Sequence, residues 1–291
     1  MRTMLWLPLI FCAATSDAGL SDEQQALLNK RPYRMVVPAR LDGGADAMPL
    51  VILLHGYGET AIQQDRYFHM SELAHAKGFL LATPNGTPNL LNLRSWNATD
   101  ACCDVMPGRG PDDVAYLTAI LDDVAQKHRV DSSRVFIVGH SNGGFMAHRM
   151  ACERSDRIAG IVSLAGSNWA DANRCKPSQP IAVLEVHGTA DKVVPFEGGR
   201  IVITSARFPG SVEVMTAWAA RLGCAATPER AGEDLDLILP PGDETDRVKW
   251  KDCANGSAAE LWTVKGGIHG PAFTAQWPGA FWDFLVAHPK P

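Results

Sequence analysis

The pentad Gly139-His140-Ser141-Asn142-Gly143 follows the run Val135-Phe136-Ile137-Val138 and precedes Gly144-Phe145-Met146-Ala147-His148-Arg149-Met150-Ala151. The β-branched and aromatic run reads as a buried strand, and the stretch after it as a helix. A G-x-S-x-G turn between strand and helix is the nucleophile-elbow pattern, which lifts a serine hydroxyl above a sheet. Its glycines are required because strand and helix backbones pass too close there for a Cβ. The competing reading is an ordinary capping turn, since Ser and Asn are common N-caps.

The rest of the chain alternates in the same way. Tyr33 to Val37 reads as an early strand, followed by a Gly-Gly turn at 43–44. Residues 50–54, 79–82, 158–164, 181–186 and 260–264 are further apolar, strand-like runs. Helical patterns fill 67–77, 212–222 and 280–287. Pro111-Asp112-Asp113 opens another helix, with Val114, Leu117, Leu121 and Val124 on its apolar face. Proline and acids suit a helix start, so Asp112-Asp113 reads as a cap rather than a metal-binding pair. Residues 84–104, rich in Asn, Pro and Gly, read as a long loop over the sheet edge. Strands alternating with helices imply a mostly parallel central sheet covered on both faces, an α/β fold.

A serine hydroxyl needs a base, and the base needs an orienting acid. Behind an elbow of this kind the expected chain order is Ser, acid, His. The acid belongs at the carboxyl end of a strand, where Asp191 follows 181–186 within His187-Gly188-Thr189-Ala190-Asp191. Glu197 and Asp171 are its rivals, and His187 is expected to pack or hydrogen-bond the turn. The base is His269, in the glycine-flanked loop Gly266-Gly267-Ile268-His269-Gly270 after 260–264. His140 lies on the elbow and is expected to point away from the nucleophile; His288 reads as solvated. Oxyanion donors, worth roughly 3–4 kcal/mol each, fall to the backbone amides of Asn142 and of Tyr57 in His55-Gly56-Tyr57-Gly58. Trp96, Phe145, Trp169 and Phe196 are candidates to wall an acyl pocket, with core packing the alternative for each.

The length of 291 residues and 46% hydrophobic content suit one large domain. A net charge of −5 without a basic run argues against nucleic acid or anionic membrane as partners. Arg2, the apolar stretch 5–14 and Ser16-Asp17-Ala18 read as a signal peptide over 1–18, leaving a catalytic domain over 19–291. That stretch is too short to cross a bilayer. Export to the periplasm or beyond fits the six remaining cysteines, which can pair in fifteen ways. Cys152 with Cys175 is a natural bridge, and Cys224 with Cys253 could staple the acidic segment 229–246, read as a loop or hairpin. Cys102 and Cys103 would then form a vicinal ring, unless the pairing is different altogether. No Walker loop, dinucleotide fingerprint, H-E-x-x-H or zinc-type CxxC spacing is present, so no cofactor or metal is expected.

With those residues in view, the chain resembles the secreted polyhydroxybutyrate depolymerase and feruloyl esterase-like hydrolases of carbohydrate esterase family one. The marks are Leu53-Leu54-His55-Gly56, Ser95-Trp96-Asn97-Ala98 before Cys102-Cys103, Asp112-Asp113-Val114, the elbow, His187 to Asp191 and Gly266 to His269. They run in order between about Tyr33 and Phe284. The resemblance implies an α/β-hydrolase fold, a Ser141-Asp191-His269 triad, ester substrates of the hydroxyalkanoate, feruloyl or acetyl type, and no cofactor. Two departures stand out. Trp277-Pro278-Gly279 comes later after the histidine than is usual, and nothing after the last helix reads as a linker or polymer-binding module. A serine peptidase of the same fold and a secreted binding protein without turnover are the rival readings.

Overall fold

In the computed structural model, which describes residues 19–39, 46–89, 91–103, 110–201 and 206–291, nine strands form one twisted sheet. They are β1 (Arg34–Val36), β2 (Met48–Leu54), β3 (Leu80–Thr83), β4 (Val130–His140), β5 (Gly160–Leu164), β6 (Ala182–Gly188), β7 (Glu229–Arg230), β8 (Thr245–Trp250) and β9 (Ala258–Val264). Their order is β1-β3-β2-β4-β5-β6-β9-β8-β7. The six from β3 to β9 run parallel, and antiparallel partners close both edges. The signal-peptide residues and the 43–44 turn lie outside the described residues.

Both sheet faces are covered, and the alternation along β2 shows how. Leu50, Ile52 and Leu54 join one core, while Val51 and Leu53 join the other. The first core packs under α1 (Asp22–Lys30), α4 (Asp113–Lys127), α5 (Asn142–Glu153) and α6 (Ser211–Arg221). The second packs under α2 (Ala61–Phe68), α3 (Met70–Lys77) and α7 (Trp277–Val286). A strand buried on both faces has to be apolar throughout, which is why these runs stand out in the sequence.

Several elements differ from the sequence reading. Residues 67–77 are not one helix: His69 turns left-handed at φ 53°, closing α2 and opening α3. The Asp65 carboxylate accepts from the Ser71 backbone and hydroxyl, which fixes that break. Helix α1 was not anticipated, although Ser21 and Gln24 form a full capping box. The acidic segment resolves as a hairpin-like edge, with β7 and β8 paired antiparallel. Within the segment read as a loop over the sheet edge, Trp96 is wholly buried and its indole N–H donates to the His55 carbonyl, so this part packs into the core beside the end of β2. The cysteines pair 102–103, 152–175 and 224–253.

Candidate active site

Four strands deliver the site from their carboxyl ends, where an open α/β sheet gathers its working groups. β4 ends at His140, and Ser141 follows as the N-cap of α5 with φ 53° and ψ −119°. That backbone is strained for a residue with a Cβ. Crowding enforces it: a Cβ on Gly139 would lie 2.1 Å from the Gly143 carbonyl oxygen, and one on Gly143 would lie 2.4 Å from that of Leu54. The Ser141 amide donates to the Leu164 carbonyl at the end of β5, so two strands hold the turn.

β6 and β9 are parallel neighbours, and the loops beyond them are stitched together. Thr189 N–H donates to the Val264 carbonyl, Ala190 N–H to that of Gly267, and Gly266 N–H to the Thr189 hydroxyl. Gly188 permits this approach, since a Cβ there would meet the Gly267 oxygen at 2.2 Å. The stitching sets Asp191 beside His269. Asp191 Oδ2 lies 2.7 Å from His269 Nδ1, and His269 Nε2 lies 2.9 Å from Ser141 Oγ. The other carboxylate oxygen, Oδ1, accepts from the Val193 and Val194 amides. Burial pushes the Asp191 carboxyl up, but hydrogen bonds from His187 and His269 outweigh it and hold the group far below the usual range. Glu197 and Asp171, the rival acids, are exposed.

The Tyr57 amide, beyond β2, and the Asn142 amide, first in α5, have no acceptor among the described residues. Beneath them the packing is tight. Asn142 Oδ1 accepts from the Trp96 N–H, and its Nδ2 donates to the Trp96 carbonyl, with Cys102 Sγ at 3.5 Å. His55 accepts from the Gly86 amide through Nε2, so Nδ1 carries the hydrogen and donates to the Gly56 carbonyl. Burial pushes this imidazole down to about 4, and it stays neutral.

The aromatic candidates fare differently. Trp96 and Phe145 are fully buried and support the site from within the core, so neither walls a pocket. Phe196 lies edge-on to the His187 ring at 5.8 Å. Trp169 borders a cleft of about 560 Å³ with Asn97, Arg149, Glu153, Arg174 and Lys176, and Arg174 lies over its ring. Ser141, Asp191 and His269 are not in that cleft. Trp277 is wholly buried and stacks on Phe273.

Sequence reasoning missed two supports. His140 donates from Nε2 to the His269 carbonyl at 3.0 Å. Asp113 is not a cap: Asp112 caps α4, whereas Asp113 is buried and accepts from Arg31 and from the Asn97 amide. Neither long-range partner is encoded locally.

The sequence profile of the phospholipase/carboxylesterase family matches residues 41–204, more than half of the chain. The chain belongs to that family. It is a carboxylic ester hydrolase of the α/β-hydrolase type, and the match takes in Ser141 and Asp191 while stopping short of His269. The chain is 30% identical to the putative esterase NocK of Nocardia uniformis subsp. tsuyamanensis over 265 residues, 88% of this chain and 73% of that protein. It is 27% identical to feruloyl esterase B of Piromyces equi across 83% of this chain, but spans only 42% of that longer protein. Among solved structures, acetyl xylan esterase from Aspergillus awamori aligns with a TM-score of 0.62 at 14% identity, covering 87% of this chain and 93% of that one. Esterase PE8 aligns at 0.57 and 18%, covering 89% and 99%. At such identities the structural likeness speaks for the fold.

Proposed function

We propose that this esterase works by two-step acyl transfer, with Ser141 as nucleophile, His269 as base and Asp191 as orienting acid. His269 takes the Ser141 proton as Oγ attacks the ester carbonyl, and Asp191 steadies the imidazolium. The Tyr57 and Asn142 amides receive the oxyanion. His269 then gives its proton to the leaving alcohol, and water repeats the sequence to free the acid. The observation that carries this reading is the continuous hydrogen-bonded row Asp191–His269–Ser141, at 2.7 and 2.9 Å.

The substrates proposed are aryl or acetyl esters of a polysaccharide, or short hydroxyalkanoate esters. Relatives named feruloyl esterase and acetylxylan esterase support the first two. Val193 and Ile268, next but one to the acid and next to the base, are 57% and 59% exposed, and would give an acyl group an apolar shoulder. Export is proposed from the signal-like first 18 residues and from the three disulfides.

The test is an active-site-directed phosphonate, with peptide mapping, beside a panel of p-nitrophenyl acyl esters, methyl ferulate, acetylated xylan and hydroxybutyrate oligomers. Labelling at Ser141 with turnover of at least one ester is expected. A phosphonate adduct at another serine, or inertness toward the whole panel, overturns the reading.

A further inference from the structure

Beside Asp191, whose Oδ2 meets both His269 Nδ1 and His187 Nε2, lies a buried row of polar groups that ester hydrolysis does not by itself require. Glu185 and His187 stand on β6, His148 on α5, and Ser211 and Trp218 on α6; Glu185, His148, His187 and Trp218 are wholly buried. Their hydrogen positions follow from one donor-only group. The Trp218 indole N–H lies 3.0 Å from His148 Nδ1, so that nitrogen accepts and His148 Nε2 carries the hydrogen. His148 Nε2 then donates to Glu185 Oε2 at 3.0 Å. Glu185 Oε1 lies 3.0 Å from His187 Nδ1. His187 Nε2 faces two acceptors, the Val194 carbonyl at 2.8 Å and Asp191 Oδ2 at 3.4 Å, so it too bears a hydrogen. Ser211 Oγ, 2.7 Å from His187 Nδ1, can give or take, but the carboxylate beside it only accepts. An ionised Glu185 therefore requires hydrogen on both nitrogens of His187.

We propose that Glu185 and a doubly protonated His187 are positioning residues that hold Asp191 in place and offset its charge behind His269. The inference rests on the triad reading above. Charges then alternate along the row: Glu185 negative, His187 positive, Asp191 negative, and His269 positive when it holds the serine proton. Burial pushes His187 down, but its contacts with Asp191 and Glu185 prevail and raise it to about 9. Burial likewise pushes Glu185 up, and the His148 and His187 bonds more than reverse that. The groups facing His187 are Glu185 on its own strand, Asp191 and Val194 in the turn, Ser211 from α6, and the edge of Phe196. Among the described residues no lysine or arginine pairs with Glu185 or Asp191. The positive charge balancing Asp191 at rest is thus that of His187. An Asp191 without it would favour the protonated, inactive base and move the acidic limb of activity upward.

The experiment is the pH profile of kcat/KM on a soluble ester for the wild type, His187→Gln and the double variant Glu185→Gln/His187→Gln. His187→Gln leaves Glu185 unbalanced, and its acidic limb should rise by about one pH unit. The double variant removes the unbalanced Glu185 charge but still lacks the cation nearest Asp191, so its limb should fall between those of His187→Gln and the wild type. A slower enzyme whose limb stays in place in His187→Gln would mean a merely structural role and would overturn the proposal. Histidine nitrogen NMR of the wild type at pH 8 decides the matter without any variant. Both His187 ring nitrogens should carry protons, and one bare nitrogen would refute the assignment. Should Ser141→Ala retain turnover, the triad reading fails instead, whatever the nitrogen spectrum shows.

Discussion

His140 Nε2 donates to the backbone carbonyl of His269 at 3.0 Å, so the residue before Ser141 grips the backbone of His269. The two rings lie 5.1 Å apart, with Tyr67 packed edge-on against His140. The distance from Ser141 to His269 is thus set on both sides of the imidazole, by Asp191 at Nδ1 and by His140 at the main chain.

Replacing His140 by Phe keeps the packing and removes the donor. Such a variant should lose on the order of tenfold in kcat, because small misplacements of a reacting group are costly. Its stability should drop by about 1 kcal/mol for the lost hydrogen bond. Steady-state kinetics beside a denaturant titration measure both. An unchanged kcat would show that Asp191 alone orients His269.

Ser141→Ala and Ser141→Gly should both lose at least about 10⁴-fold in kcat. They should differ in stability. Glycine adopts φ 53°, ψ −119° without strain, so the glycine variant should be more stable than the alanine variant by about 1 kcal/mol. Paired thermal melts test this, and equal melting temperatures would mean the elbow stores no strain.

Arg31 and Asp113 form a buried pair that tethers Asn97, one residue beyond Trp96, to the start of α4. Arg31→Ala leaves a buried carboxylate alone, at an expected cost of about 3 kcal/mol or more. The double variant Arg31→Met/Asp113→Asn should recover much of that loss. Denaturant unfolding of the three proteins checks this, and a single-variant loss below about 1 kcal/mol would contradict it.

The pH dependence of stability follows from the Glu185–His187 pair. His187 is raised to about 9 when folded, so its contribution is complete below the unfolded value of about 6.5 and fades as pH rises through 9. Glu185 is lowered, so its contribution is present above about 4.5 and fades on acidification. Unfolding midpoints should therefore decline from pH 7 to 9, and the decline should flatten in the double variant Glu185→Gln/His187→Gln. Parallel declines in the two proteins would assign the loss to other groups.

Removing the Cys152–Cys175 bridge, which spans 23 residues, should cost about 3 kcal/mol by opening the unfolded chain. The reading is the melting temperature of Cys152→Ala/Cys175→Ala against the wild type under non-reducing conditions. A difference near zero would argue that the bridge closes no entropy.

Legibility followed locality. The parallel strands were readable because each is buried on two faces and must be apolar along its length, as in Leu50 to Leu54. The elbow was readable because steric crowding writes glycines at 139 and 143. The break at His69 was not, since it depends on an Asp65 carboxylate that happens to reach Ser71. The aromatic residues misled for a related reason. Whether Trp96 or Phe145 meets substrate or core depends on what lies above the ring, and no local pattern records that.

By itself the sequence determined the alternation of strands and helices, the strained turn at Ser141, and the strand-end loops that carry Asp191 and His269. These rest on short-range sterics and on hydrophobic period, which act between residues near in the chain. Only the tertiary structure decided that His140 holds the carbonyl of residue 269, that Asp113 answers Arg31, and that Glu185 and His187 stand beside Asp191. Each of those is a directional contact between groups buried together, and the compensation that makes burying them tolerable exists only once the distant partner has arrived.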